Sequence, residues 1–207
     1  MRIGGLRKLS LIDYPGEISS VIFTTGCNFR CLFCHNSHLV LPELYQPDLC
    51  EDDIIKFLKS RIGKISAVVI SGGEPALHKD LPRFISVIKN LGFKIKLDTN
   101  GAKPDVLQNL ISEGLLDFIA MDIKSSPQSY SKITGVETDM NKIIESISII
   151  RNSALRYQFR MTLLKGFHTD EEIKKAEELI PGETLVKQYF KYEESVLDKR
   201  LTKDNEF

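Results

Sequence analysis

Three thiols fall within eight residues of this chain: Cys27, Cys31 and Cys34, in the run Cys27-Asn28-Phe29-Arg30-Cys31-Leu32-Phe33-Cys34. Thiolates are soft ligands, and three so close together can wrap one compact metal centre. A cubane of four irons ordinarily takes four cysteines. Three leave one iron without a protein thiolate, and an open metal position marks a site built to receive a substrate or cofactor. The same residues admit a structural zinc site, with His35, His38 or Cys50 as the fourth ligand. His35 directly follows Cys34, which makes a shared metal awkward, whereas His38 is freer. Zinc knuckles more usually pair their cysteines as two C-x-x-C units. A ferredoxin has less support still, because the fourth cysteine is missing at its usual spacing.

Three further motifs carry polar chemistry. Ser71-Gly72-Gly73-Glu74-Pro75 sets two glycines ahead of a carboxylate. With no β-carbon in the way, backbone can approach a ligand closely. Glu74 can then accept a charge-assisted hydrogen bond from an ammonium group. By itself a Gly-Gly pair is an ordinary turn. Asp98-Thr99-Asn100-Gly101 and Asp122-Ile123-Lys124 bring charges and a hydroxyl to strand ends, where the same residue types also serve as plain loop chemistry.

These groups need a scaffold, and the hydrophobic pattern supplies one. Residues 18–25 read as a buried strand. Residues 51–62 read as a helix with Ile54, Ile55, Leu58 and Ile62 on one stripe, and 65–70 as a second strand. Asp80 is placed to cap a helix running to about Leu91, ended by Gly92. Phe93 to Leu97 alternates as a third strand, and 104–113 is a helix with Pro104 in its first turn. A strand over 117–123, a helix over 139–151, a strand from Tyr157 to Leu164, a helix over 169–180 and a strand over 184–190 complete the series. Six strands alternating with helices call for an α/β fold with a parallel sheet. Periodicity leaves open a doubly wound sheet and a curved partial barrel. Both place ligands at the carboxyl ends of strands, where the motifs lie.

Composition sets outer limits. Of 207 residues, 42% are apolar and 27% charged, the profile of one globular domain spanning 1–207. That domain divides into a core over about 18–190, a lead-in over 1–17 and a charged, partly exposed tail over 193–207. Lys plus Arg number 28 and Asp plus Glu 28, so no net charge draws the chain to nucleic acid or an anionic membrane. No apolar stretch approaches the roughly 20 residues that span a bilayer, and the N-terminal residues hold no secretory h-region. Four cysteines are too few for a disulfide scaffold. A cytoplasmic, reducing location without membrane or nucleic-acid partners is the expectation.

The cysteine spacing, with aromatic Phe33 before Cys34 and a strand before Cys27, resembles the radical S-adenosylmethionine superfamily. The resemblance implies a partial (β/α)6 barrel, one 4Fe–4S cluster on Cys27, Cys31 and Cys34, and S-adenosylmethionine chelating the fourth iron. It implies Phe33 beside the adenine, and Gly72, Gly73 and Glu74 at the methionyl amino group.

Asp98-Thr99-Asn100-Gly101, Asp122-Ile123-Lys124 and Thr134-Gly135 resemble one subgroup, the activases of glycyl radical enzymes. Leu9-Ser-Leu-Ile-Asp-Tyr-Pro-Gly16, Ile22-Phe-Thr-Thr-Gly-Cys27 and Cys34-His-Asn36 are similar to activating proteins of anaerobic ribonucleoside-triphosphate reductase. This similarity runs from about Leu6 to Tyr189. It implies that Asp98 contacts the cofactor ribose or a monovalent cation, and that Thr99 and Asp122 bind that cation. It implies that Lys124 meets the cofactor carboxylate. The partners implied are a glycyl radical enzyme and a flavodoxin- or ferredoxin-type electron donor.

Only Cys50 lies where some activases insert a ferredoxin-like segment, so one cluster is expected and Cys50 reads as a small buried residue. Gln188-Tyr189-Phe190-Lys191-Tyr192 lacks the cofactor-contacting His of some activases. Arg160 reads either as a cofactor or partner contact or as a snorkelling strand residue. His78 and His168 read as loop residues. The shortness of the sheet leads to the expectation of a side opening for a protein loop. The alternative on the same scaffold is a small-molecule enzyme resembling carboxy-deazaguanine synthase.

Overall fold

The computed structural model describes residues 1–207. Seven strands form one sheet in chain order: β1 (Ile3–Ser10), β2 (Ser19–Thr24), β3 (Ala67–Gly72), β4 (Lys94–Thr99), β5 (Phe118–Asp122), β6 (Arg156–Leu163) and β7 (Leu185–Tyr189). β1 is antiparallel to β2, and every other neighbouring pair is parallel. α1 (Ser37–Val40) and α2 (Glu51–Lys59) join β2 to β3, α3 (Leu81–Lys89) joins β3 to β4, and α4 (Pro104–Ser112) joins β4 to β5. α5 (Tyr130–Thr134) and α6 (Met140–Arg151) lead to β6, and α7 (Asp170–Glu177) leads to β7.

Parallel strands in consecutive order need crossover connections of one hand, and the helices in them pack their buried side chains into one core on a single face of the sheet. Side-chain alternation then separates two cores. Ile22, Val68, Ile70, Ile95, Leu97, Ile119, Met121 and Phe159 belong to the main core with the helices. Val21, Ala67, Val69, Phe118 and Ala120 form a smaller cluster with Tyr14 on the opposite face. That second apolar face has no helical layer, so the sheet rolls around it. β1 and β7 are the two ends of the sheet and do not pair, so the roll stays open. Of the two architectures left by periodicity, the structure is the curved one: a partial six-stranded parallel barrel with an extra antiparallel strand.

Several expectations need correction. Residues 1–17 are not merely a lead-in, because β1 extends the sheet. With Gly4 and Gly5 inside it and only Ile3 and Ser10 buried, β1 has no clear period-two signature. Tyr14, in the turn that follows, is 2% exposed and meets Phe118 edge-on with centroids 5.6 Å apart. It closes the barrel at the amino ends of the strands. The segment after Glu193 is partly exposed, as expected, but it also anchors in the main core through Val196 and Leu201. Asp80 makes no capping bond to α3, and its carboxylate instead takes the Met1 ammonium. Cys50 is exposed at the N-cap position of α2 rather than buried.

Candidate active site

The carboxyl ends of β2 to β7 open into one cavity of about 360 Å³, lined by Cys27, Cys31, Phe33, Cys34, Gly72, Gly73, Glu74, Asp98, Thr99, Asp122 and Lys124. The volume falls in the range that receives cofactor-sized ligands. The sequence motifs, remote along the chain, therefore meet at one place. Asn100, Arg160, Thr162, Gln188 and Tyr189 join the same lining.

The cysteine loop is tied down on three sides. Arg30 N–H donates to Thr134 O at 2.7 Å and Leu32 N–H to Ile133 O at 3.2 Å, docking the loop on α5. Gly135, with φ of 68°, sits so close that an added β-carbon would lie 2.5 Å from Arg30 O. On another side Leu197 N–H donates to Cys34 O at 2.9 Å and Asp198 N–H to Leu32 O at 3.1 Å. His35 stacks on Phe190 with centroids 5.4 Å apart, and its Nε2 bonds Lys191 O at 2.6 Å. On the third, Glu74 N–H donates to Gly26 O at 2.8 Å and Gly73 N–H to Thr24 O at 2.9 Å. The segment after β7 is thus part of the site's frame, which sequence patterning did not reveal.

Burial pushes the Cys27 thiol up to about 12, with the Glu74 charge adding to it, and burial pushes Cys31 up to about 11. Burial raises Cys34 too, against a backbone N–H at Asn36 that works the other way. Such thiols stay protonated until a metal displaces the proton. No three of the chain's His, Cys, Asp or Glu side chains are grouped as a single-ion site. Three thiols spread over one loop around a shared cavity suit a polynuclear cluster, which fills more space than one ion. The residues present therefore fit an iron–sulfur group.

Glu74 is 1% exposed. Its Oε1 accepts from Ala76 N–H at 3.0 Å and Thr99 Oγ1–H at 2.9 Å, and its Oε2 accepts from Asn100 N–H at 2.7 Å. A carboxylate offers about four lone-pair positions, so one is left for a ligand donor. Burial lifts its carboxyl to about 7 in spite of these three donors.

Below the rim lies a chain of alternating charges on the inward faces of β4, β5 and β6. Lys96 pairs with Asp98, Arg160 Nη1 lies 3.5 Å from Asp98 Oδ2, and Arg160 Nε donates to Asp122 Oδ1 at 2.8 Å. Lys124 Nζ donates to Asp122 Oδ2 at 3.0 Å and lies 5.8 Å from the Phe33 ring centre. Burial alone would raise the Asp122 carboxyl, but Arg160 and Lys124 outweigh it and hold it near 2. Three cations against two carboxylates leave one positive charge facing the cavity, suited to an anionic group. Arg160 points inward and bridges both carboxylates, so it is not a snorkelling residue. Asp98, Thr99 and Asp122 line the cavity together, yet the carboxylates face protein cations and the Thr99 hydroxyl donates to Glu74.

Two residues the sequence reading gave no specific role prove structural: Asn100, quoted only within its motif, and His168, read as a loop residue. Asn100 joins the Glu74 turn to the cysteine loop. His168, 3% exposed, accepts Leu164 N–H at Nδ1 over 2.9 Å, which leaves Nε2–H to donate to Lys124 O at 3.1 Å. It fixes the backbone of Lys124 from behind. His168 follows a Gly-Phe turn, and nothing local distinguishes it from a loop histidine.

The raised Glu74 carboxyl has a measurable consequence. The ordinary value is 4.5 and the folded value about 7. Between them the folded chain holds a proton that the unfolded chain releases, so this group's contribution to stability falls as pH rises through that window. The slope is at most ~1.4 kcal/mol per pH unit. His78 and His168, pushed down by burial, act in the opposite sense on the acid side of 6.5. The expected observation is therefore a difference: urea unfolding of metal-free protein shows the downward slope in wild type relative to Glu74→Gln. Parallel profiles for the two proteins would refute the assignment.

Residues 21–180 match the Radical SAM superfamily, and the chain belongs to it. Membership implies a 4Fe–4S cluster and S-adenosylmethionine as the cofactors. The chain is 33% identical over 177 residues to a Methanocaldococcus jannaschii protein provisionally named a glycyl-radical enzyme activating enzyme, covering 83% of this chain and 72% of that one. It is 28% identical over 154 residues to a Thermococcus kodakarensis protein provisionally named a GTP 3′,8-cyclase, covering 73% of this chain and 49% of the relative. Among solved structures, Streptococcus suis SuiB bound to S-adenosylmethionine superimposes with a TM-score of 0.64 at 14% identity, over 86% of this chain and 44% of that one. Escherichia coli coproporphyrinogen III oxidase (HemN) superimposes with a TM-score of 0.62 at 15% identity, over 94% of this chain and 50% of that one. These two likenesses establish the fold. No helix is long and apolar enough to cross a membrane.

Proposed function

We propose that this chain is an activase that generates a glycyl radical on a partner enzyme, with anaerobic ribonucleoside-triphosphate reductase as the expected target class. The observation that carries the reading is the similarity to the Methanocaldococcus jannaschii protein provisionally named an activating enzyme, which extends over 83% of the chain. The open barrel supports it. Its inner face runs from the charge chain to Gln188 on the edge strand β7, and Tyr189 at the end of that strand lines the same cavity and is 59% exposed. A protein loop can approach the cavity from that open edge. Glycine suits such a target, because a bare Cα approaches closely in conformations closed to other residues.

The cluster and S-adenosylmethionine, when bound, supply one-electron cleavage of a carbon–sulfur bond and a carbon radical that abstracts hydrogen. The chain's own work is to bind, orient and exclude water. In this reading Cys27, Cys31 and Cys34 hold the cluster, and Glu74 takes the cofactor amino group with its remaining lone pair. Lys124 faces the cofactor carboxylate, Phe33 the adenine and Asp98 the ribose, while Gly72 and Gly73 let the backbone lie against the cofactor. Tyr14 and the apolar cluster around it seal the far end of the barrel. An electron donor of flavodoxin or ferredoxin type completes the system.

The test is electron paramagnetic resonance. Reduced protein, S-adenosylmethionine and the partner reductase, mixed without oxygen, are expected to give a glycyl radical doublet that broad-band deuteration of the partner's glycines narrows. Absence of that signal with every glycyl radical enzyme of the source organism, together with turnover of GTP or another heterocycle without a protein partner, would overturn the proposal.

A further inference from the structure

Asn100 is 6% exposed, and its side chain has only one orientation consistent with its neighbours. Ala102 N–H donates to Oδ1 at 3.0 Å, which fixes the oxygen end of the amide. The Nδ2 end therefore faces the cysteine loop, donating to Asn28 Oδ1 at 2.9 Å and lying 3.9 Å from Cys27 Sγ. Phe29 N–H also points at this sulfur, at 3.4 Å. Asn100 is the one side chain that donates to any of the three sulfurs. Its main-chain N–H holds Glu74, so the same residue reaches both halves of the cavity.

We propose that Asn100 is a positioning residue for the cluster, donating an N–H···S bond to Cys27 that holds this ligand's rotamer and raises the cluster's reduction potential. The physical basis is charge. Hydrogen bonds to cluster sulfur withdraw electron density from the ligand and favour the reduced, more negative state. Burial strengthens the effect, because no water competes for the sulfur. The inference rests on membership of the superfamily and not on the activase reading. Its measurement involves no partner protein, so the two fail separately.

The experiment is a mediator titration of the reconstituted protein, without S-adenosylmethionine, followed by paramagnetic resonance of the reduced cluster. Asn100→Ala is expected to move the midpoint to more negative potential. Asn100→Asp is expected to move it further, because it sets a carboxylate against the thiolate. Asn100→Gln keeps an amide N–H and is expected to return the midpoint toward wild type. The main-chain N–H to Glu74 remains in all three. Loss of iron from Asn100→Ala and Asn100→Asp, with retention in Asn100→Gln, would equally support the donor. An unchanged midpoint with full iron content overturns the proposal. So does iron loss in all three variants, because that outcome makes Asn100 only a packing residue of the turn.

Discussion

Cys31→Ala is expected to purify colourless under anaerobic conditions, with no acid-labile sulfide and no reductive cleavage of S-adenosylmethionine. Cys31 is the middle thiol of the loop and 8% exposed. Its neighbours along the loop are fixed by the bonds from Arg30 and Leu32 to α5, so no other residue can swing in to replace the sulfur. The cluster offers three irons to the protein, and removing one thiolate leaves two for a group that ordinarily takes four. The effect on cleavage is therefore total rather than graded. Cys50→Ala is the matched control. Cys50 is exposed at the N-cap position of α2 and outside the cavity, so iron, sulfide and cleavage are expected to equal wild type. Cleavage surviving in Cys31→Ala, or lost in Cys50→Ala, would reverse the ligand assignment.

The second large effect follows from space alone. A β-carbon on Gly73 would lie 1.9 Å from Gly26 O, a backbone atom one residue before Cys27. Gly72 is equally confined, with φ of 112° and 2.3 Å between an added β-carbon and Thr24 N. Neither obstacle is a side-chain tip that can turn away. Gly73→Ala must separate the two strand ends and break the bond from Glu74 N–H to Gly26 O. Overpacking of this kind costs about 1–3 kcal/mol in stability. The loss of function is expected to exceed the loss of stability, because a displacement near 1 Å costs on the order of 100-fold where geometry governs the reaction. Calorimetric titration with S-adenosylmethionine on folded, iron-loaded Gly73→Ala checks it. Gly92→Ala separates strain from obstruction. Gly92 has φ of 91° but nothing within 4 Å of an added β-carbon. That variant is expected to lose about 1–2 kcal/mol of stability and no affinity. Equal affinity in Gly73→Ala and wild type would refute the steric argument.

The alternation of strand and helix was legible because both periods are local. Ile54 and Leu58 fall on one helical face, and Val68 to Ile70 form an unbroken apolar run, wherever the rest of the chain lies. Boundaries moved by a few residues: the helix expected over 51–62 ends at Lys59, and the strand expected over 65–70 runs from Ala67 to Gly72. Curvature was not legible. It follows from the apolar cluster of Tyr14, Val21, Ala67, Val69, Phe118 and Ala120, whose members face one another only after the sheet has rolled. β1 escaped for a similar reason, since Gly4 and Gly5 give no alternation and the strand is defined by its pairing with β2.

What the amino-acid order determined by itself is the kind of chemistry available. Cys27, Cys31 and Cys34 are close enough in sequence to share a centre, and Gly72-Gly73-Glu74 holds its carboxylate on bare backbone. Both are facts of spacing and residue type. The tertiary structure alone decided how these groups are held. Arg160 answers Asp98 and Asp122 from another strand, Asn100 turns its amide toward Cys27, and Leu197 and Asp198 return to brace the cysteine loop. Contacts of this kind depend on where strands end in space. Distance along the chain carries no information about them, because the fold joins residues that local rules treat as unrelated.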